Sequence, residues 1–153
     1  MNNELKRLVE ELVQINGPSG FELPVATKLR DEMQPYSDSI EIDPIGNVIA
    51  KIAGKTDKTI MVTAHTDEIS LVVERVVDDL VFVKTVGMID EAVLASTPVI
   101  ILTEKEPVPG IMGSSTAHLK AWAKPCPPFI DVGGNTKAIL PGDPVVFAPN
   151  VKC

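Results

Sequence analysis

The 153-residue sequence is poor in cysteine, in aromatic residues and in long apolar runs. Its two cysteines, Cys126 and Cys153, are too few for a disulfide framework and do not form a metal-type pair. Aromatic residues make up only 4%, so we expect a core of aliphatic side chains. No run reaches the ~18 apolar residues of a membrane span, and the polar N-terminus has no apolar signal core. We therefore predict a cytoplasmic protein without a membrane partner.

Basic residues are also in deficit. The chain has 14 Lys and Arg against 21 Asp and Glu, which gives a net charge of −7. Nucleic acids and anionic membranes attract basic surfaces, so we expect neither to be a partner. The length allows one domain or two small lobes. A chain of this size buries roughly 68–70% of its unfolded surface and can hold a core without disulfides.

The first part of the chain mixes helix and strand patterns. Apolar side chains recur at helical spacing in two segments, residues 4–16 and 24–33. Polar and apolar residues alternate in 39–43 and 48–52, which predicts two strands joined by a turn. Residues 59–64 form a nearly continuous apolar run, which is typical of a strand buried on both faces.

The rest of the chain shows only strand patterns. Short apolar or alternating segments, separated by turn residues, predict six strands near 69–76, 80–86, 98–103, 109–113, 129–132 and 144–147. Such spacing is typical of a small barrel or sandwich. We therefore predict an α/β part over residues 1–68, an all-β, barrel-like lobe over 69–148, and a tail over 149–153.

The motif His65-Thr66-Asp67 follows the predicted buried strand. In open α/β sheets, ligands gather beyond the carboxyl ends of strands, and the imidazole of His65 could bind a metal there. In an extended segment Asp67 emerges on the same side as His65, where its carboxylate can accept the other ring N–H and fix the tautomer. A second interpretation stays open, in which His65 is a hydrogen-bonded histidine at a strand end.

Two further features carry weaker signals. Residues 17–22 have the glycines of a phosphate-binding loop but lack its lysine and its preceding strand, so we interpret them as a turn between two helices. The only other histidine, His118, lies in a predicted loop of the β lobe without a compact carboxylate cluster, and we expect a surface or packing role. A catalytic zinc takes three protein ligands, so His65 alone does not make a site.

An ordered series of short stretches connects these features: residues 17–22, 45–48, 64–69, 110–113, 118–119, 130–133 and 142–146. In order and spacing, the series resembles the N-terminal part of the tetrahedral (TET-type) aminopeptidases. That family also contains glutamyl aminopeptidases, deblocking aminopeptidases and proteins named endoglucanase M. The resemblance covers nearly the whole chain.

The resemblance implies a fold, a chemistry and a set of partners. It implies a peptidase-type α/β domain with an inserted, PDZ-like β-barrel lobe that serves dimer contacts and larger assembly. It also implies two zinc or cobalt ions that act together to remove N-terminal residues from peptides. His65 matches the first metal ligand of the family, and Asp67 matches the catalytic aspartate that supports it.

The resemblance also implies an incomplete site. In the longer family members, the bridging aspartate, the catalytic glutamate and the remaining ligands follow the β lobe, and those positions have no counterpart here. We therefore expect at most a partial metal site, no activity of this chain alone, and a homo-oligomer or a complementing chain as partner. Two alternatives stay open: a non-catalytic assembly or binding module, and a product of a split gene without a present role.

Overall fold

The computed structural model describes residues 3–113 and 127–148. The chain forms two compact units, of which the first ends at Glu68 and the second begins at Ile69. His118, Cys126 and Cys153, together with the tail from residue 149, lie outside the described residues. None of the described helices is long and apolar enough to cross a membrane.

The first unit contains two helices and a β hairpin. Helix α1 spans Asn3–Leu12 and helix α2 spans Leu23–Met33, with a 3-10 turn at Gln34–Tyr36. Strands β1 (Ser39–Ile42) and β2 (Val48–Lys51) pair antiparallel. The second helix and the hairpin confirm the sequence patterns.

Helix α1 is shorter than the predicted segment 4–16. Beyond Leu12, the amides of Gln14 and Ile15 donate to the carbonyls of Glu11 and Leu12, three residues back. Such bonds tighten the last turn of a helix, and here they lead the chain into the loop that begins at Gly17. The apolar pattern therefore extends past the end of the regular helix.

The predicted buried strand at residues 59–64 is wrong. The segment has no strand pairing, and Ile60, Met61 and Val62 are 87%, 84% and 91% exposed. A strand exists only where a neighbouring strand satisfies its N–H and C=O groups. Within the described residues no strand pairs with this segment, so its apolar composition does not lead to burial.

The second unit is a closed antiparallel barrel of six strands. Its strands are β3 (Ser70–Val77), β4 (Leu80–Val86), β5 (Pro98–Ile101), β6 (Val108–Met112), β7 (Phe129–Asp131) and β8 (Pro144–Phe147). They close in the order β3-β4-β7-β6-β5-β8. This arrangement confirms the barrel-like lobe predicted from the strand spacing.

Alternation along these strands builds the barrel core. Inward-facing aliphatic side chains from all six strands are almost completely buried, and they include Leu71, Val81, Ile101, Val108, Ile130 and Val145. Because successive side chains of a strand point to opposite faces, strands β3 to β7 also carry exposed residues on the outside. The main hydrophobic core of the described residues therefore lies in the second unit.

Candidate metal-ligand site

The loop at residues 17–22 is joined to the segment that carries the His65 motif. The amide of Glu68 donates to the carbonyl of Gly17 at 2.9 Å, and the amide of Gly17 donates to Glu68 Oε1 at 2.9 Å. Pro18 and Glu68 also form an isolated parallel β-bridge. These contacts lie within the first unit and hold the loop beside residues 65–68.

The packing and the backbone of this loop restrict its sequence. A Cβ on Gly17 would lie only 2.5 Å from Val25 Cγ2, so helix α2 leaves no space for a side chain there. Gly20 has a φ of +88°, which favours glycine, and its amide donates to Glu22 Oε1 at 2.7 Å. The loop is therefore built to follow one path between the helices.

His65 is held through one of its two ring nitrogens. Its Nδ1 lies 3.0 Å from Asp67 Oδ1 and 2.9 Å from the Asp67 carbonyl oxygen. A carbonyl and an ionised carboxylate can only accept, so the network assigns the hydrogen to Nδ1. In the neutral ring Nε2 then keeps its lone pair, and the side chain is 85% exposed. One imidazole nitrogen is thus available to a metal ion.

Asp67 is held from its other side by Ser19. The Ser19 hydroxyl donates to Asp67 Oδ2 at 2.5 Å, while Oδ1 faces His65. The hydrogen bond from Ser19, followed by the one from His65, holds the pKa of the Asp67 carboxyl below its usual range. The result is a chain of contacts from Ser19 through Asp67 to the ring of His65.

The structure brings His65 and Asp67 together and adds a residue that the sequence analysis missed. The sequence pattern places Ser19 only in a turn, because its partner is 48 residues away along the chain. The signal that could have identified it is the ordered pair of stretches 17–22 and 64–69. His118 lies outside the described residues, so its predicted surface or packing role stays a prediction.

The donor set fits one metal-ligand position and does not fit a complete centre. Across residues 3–113 and 127–148, no three His, Cys, Asp or Glu side chains gather closely enough to hold a metal ion. Both oxygens of Asp67 are already engaged by His65 and Ser19. The described part of the chain therefore offers the imidazole of His65, with Asp67 as the group that orients it.

Comparison with known proteins gives consistent matches along the chain. The profile described as M42 glutamyl aminopeptidase matches residues 46–153. The lysyl aminopeptidase of Pyrococcus furiosus is 33% identical over 120 residues, which are 76% of this chain and 34% of that protein. The chain thus spans about a third of the length of this curated relative.

Two solved structures resemble the chain closely. The TET aminopeptidase of the marine sediment archaeon Thaumarchaeota archaeon SCGC AB-539-E09 superposes with a TM-score of 0.84 at 28% identity, covering 95% of this chain and 45% of that one. The TET1 peptidase of Pyrococcus horikoshii, which can assemble into a tetrahedron or a large octahedral shell, gives 0.74 at 28% identity, covering 91% and 45%. These matches confirm the resemblance predicted from the ordered stretches. The family profile matches well over half of the residues of this chain, and the chain therefore belongs to the peptidase M42 family.

Proposed function

We propose that the chain contributes one metal ligand to a metal-dependent aminopeptidase that removes N-terminal residues from peptides. The observation that carries this proposal is the state of His65. Its Nδ1 is held by Asp67, and the exposed ring keeps the lone pair of Nε2 available to a metal ion. Membership of a peptidase family supports the same chemistry.

The proposed centre would hold two zinc or cobalt ions. This chain would supply one of the protein ligands of that centre. When bound, such a pair of ions would supply Lewis-acid polarisation of the scissile carbonyl and activation of a water molecule. The role of Asp67 is to keep the imidazole of His65 in the Nδ1–H tautomer and to raise its basicity. The remaining ligands and the general base come from outside the described residues, because these contain no cluster of three candidate ligands.

The proposal includes a second polypeptide, either another copy or a complementing chain. The exposed apolar side chains of Ile60, Met61 and Val62 support it, since a contiguous apolar surface marks an interaction site. The barrel supports it as well, because an apolar groove between β5, β6 and β7 is lined by residues that include Ile111, which is 56% exposed. In this proposal the barrel is the PDZ-like assembly lobe, and the protein works in the cytoplasm.

The test is hydrolysis of aminoacyl-p-nitroanilides with added Zn²⁺ or Co²⁺. We expect no hydrolysis by the 153-residue chain alone, because one imidazole cannot hold two ions. When a complementing chain restores activity, His65→Ala should abolish hydrolysis and leave assembly unchanged, as measured by light scattering. Lys55→Ala, a change on an exposed residue, is the matched control and should retain the rate.

Two results would contradict this proposal. Hydrolysis by the pure chain would show that it carries ligands beyond His65. An unchanged rate for His65→Ala in the active complex would remove the imidazole from the mechanism.

A second candidate function is a non-catalytic assembly module of the same family. The observation that favours it is that the described residues offer only a single engaged imidazole and carboxylate rather than a ligand cluster. This candidate predicts stable association with another chain in which His65→Ala changes neither assembly nor any hydrolysis. The same experiment therefore separates the two functions.

A further inference from the structure

The loop at residues 17–20 has no role in the function proposed so far. It is nevertheless tied to the His65 segment by two hydrogen bonds between Gly17 and Glu68, one to the Gly17 carbonyl and one to the Glu68 side chain, and by the hydroxyl of Ser19. Gly17 and Pro18 are buried, whereas Ser19 is half-buried and directs its hydroxyl at Asp67. The loop thus places one hydrogen-bond donor against the carboxylate that faces His65.

We propose that Ser19 is a positioning residue that fixes the tautomer of His65 through Asp67. This inference deepens the proposed function, on which its biological meaning rests, but its physical content concerns only three side chains of this chain. The side-chain hydrogen bond of Ser19 goes to Asp67 and not to His65. Ser19 acts by holding Asp67, and Asp67 in turn holds the ring.

The geometry explains why a second contact to the carboxylate matters. The terminal torsion of an aspartate is broad, so a carboxylate with a single partner can rotate away from it. Here Oδ2 is held by Ser19 at 2.5 Å and Oδ1 accepts from His65 Nδ1 at 3.0 Å. With Oδ2 fixed, Oδ1 stays in the plane and direction that the ring N–H requires.

The backbone restricts Ser19 in the same way. The Gly17–Glu68 contacts hold the two segments side by side, and the Phe21 amide closes the loop by donating to the Pro18 carbonyl at 2.8 Å. The position of the Ser19 Cα is therefore set by contacts that do not involve its own side chain. Removing the hydroxyl should consequently leave the loop in place and free only the carboxylate.

The Asp67 carbonyl oxygen is a second acceptor for His65 Nδ1, at 2.9 Å. It does not depend on Ser19, so loss of the hydroxyl should weaken the preference for the Nδ1–H tautomer without abolishing it. Loss of one typical hydrogen bond changes an equilibrium by about two- to tenfold. We expect the Nδ1–H to Nε2–H ratio of His65 to fall by about that factor in Ser19→Ala.

The experiment measures the ¹⁵N chemical shifts of the His65 ring in the full 153-residue chain. The two ring nitrogens differ in shift according to which one carries the hydrogen, and at about pH 8.5 an ordinary histidine is neutral. The chain has only two histidines, so a His118→Gln background assigns the signals to His65. No metal and no substrate are needed.

Three variants decide the outcome. Ser19→Ala removes the donor, Ser19→Thr keeps a hydroxyl, and Ser37→Ala removes a hydroxyl that bonds the Met33 carbonyl at the end of helix α2. We expect Ser19→Ala to shift the ratio towards Nε2–H and the other two variants to keep the wild-type ratio. If Ser19→Ala lost the amide spectrum of the folded chain, Ser19→Cys, which keeps the shape but donates weakly, would replace it.

The inference would be overturned by an unchanged ratio in Ser19→Ala, or by a shift in Ser19→Thr as large as that in Ser19→Ala. This outcome is distinct from failure of the proposed function. If His65→Ala left a complemented enzyme active while Ser19→Ala still shifted the tautomer, the peptidase role would fall and the positioning role would stand. If the complemented enzyme needed His65 but Ser19→Ala left the tautomer ratio unchanged, only the positioning role would be contradicted.

Discussion

Individual positions require glycine where a neighbouring segment occupies the space that a Cβ would need. In the first unit, Gly17 faces Val25 in this way. In the barrel, a Cβ on Gly110 would collide with the side chain of Ile130 and lie 3.1 Å from the Asp131 carbonyl oxygen. Strand β6 can approach β7 this closely only because residue 110 has no side chain.

We predict that Gly110→Ala destabilises the barrel by about 1–3 kcal/mol, the usual cost of overpacking a close contact. Ile130 is fully buried and cannot move into solvent to make room. The measurement is the free energy of unfolding by chemical denaturation.

Gly54→Ala is the matched control, since nothing lies within 4 Å of a Cβ at that position. This surface change should stay within about 0.5 kcal/mol of wild type. Equal stability of the Gly110 and Gly54 variants would show that the barrel tolerates a side chain between β6 and β7.

At the scale of elements, the turn between β1 and β2 is organised by one carboxylate. Asp43 Oδ1 accepts from the amides of Ile45 and Asn47 at 3.0 and 2.9 Å, and Oδ2 accepts from Asn47 Nδ2 at 2.8 Å. Gly46, with a φ of +95°, completes the turn. The side-chain bond from Asn47 is the largest cause that holds the pKa of Asp43 below its usual range.

This lowered pKa gives Asp43 a contribution to the stability of the turn that depends on pH. Because the folded pKa of Asp43 lies below the unfolded value of about 3.9, its contribution is fully present above the unfolded value. The contribution is lost as the pH falls through the folded pKa. We predict that the ¹³C signal of the Asp43 carboxyl titrates below the midpoint of an unfolded reference peptide.

Asn47→Ala should move the Asp43 midpoint back towards the reference value, because it removes the strongest of the bonds to the ionised carboxylate. A midpoint that is the same in both proteins would contradict this account of the turn.

Sequence patterns predicted the helices and strands that are specified by residues close to one another in the sequence. The hairpin of β1 and β2, helix α2 and the six barrel strands all follow from alternation or helical spacing together with turn residues. The end of α1 did not follow, because the apolar period continues to Val13 while the backbone tightens into the loop at Gly17. Side-chain periodicity reports which face is apolar, and it does not report where the next segment must turn.

At the scale of the whole molecule, burial is distributed unevenly between the two units. The large cluster of buried aliphatic side chains belongs to the barrel. In the described residues of the first unit, the buried hydrophobic residues Val25 and Ala26 lie on helix α2. The exposed apolar run at 59–64 therefore belongs to the unit with the smaller core.

We predict that hydrogen exchange separates these regions. Amides in β3 and β4 should exchange slowly because the barrel core protects their bonds, while amides of residues 59–64 should exchange rapidly because they lack strand partners. In the proposed complex with a second chain, the amides of 59–64 should become protected. Slow exchange in the purified chain at low concentration would contradict the exposed conformation of this segment.

The aliphatic barrel, the hairpin, helix α2 and the resemblance to the peptidase family all follow from the amino-acid pattern alone. These depend on local periodicity, turn chemistry and the order of short stretches along the chain. The contact between Ser19 and Asp67 and the unpaired state of residues 59–64 are visible only in the folded chain. A hydrogen bond across 48 residues and the pairing of a strand both depend on which segments lie side by side in space. The side chains of one segment do not encode its neighbours.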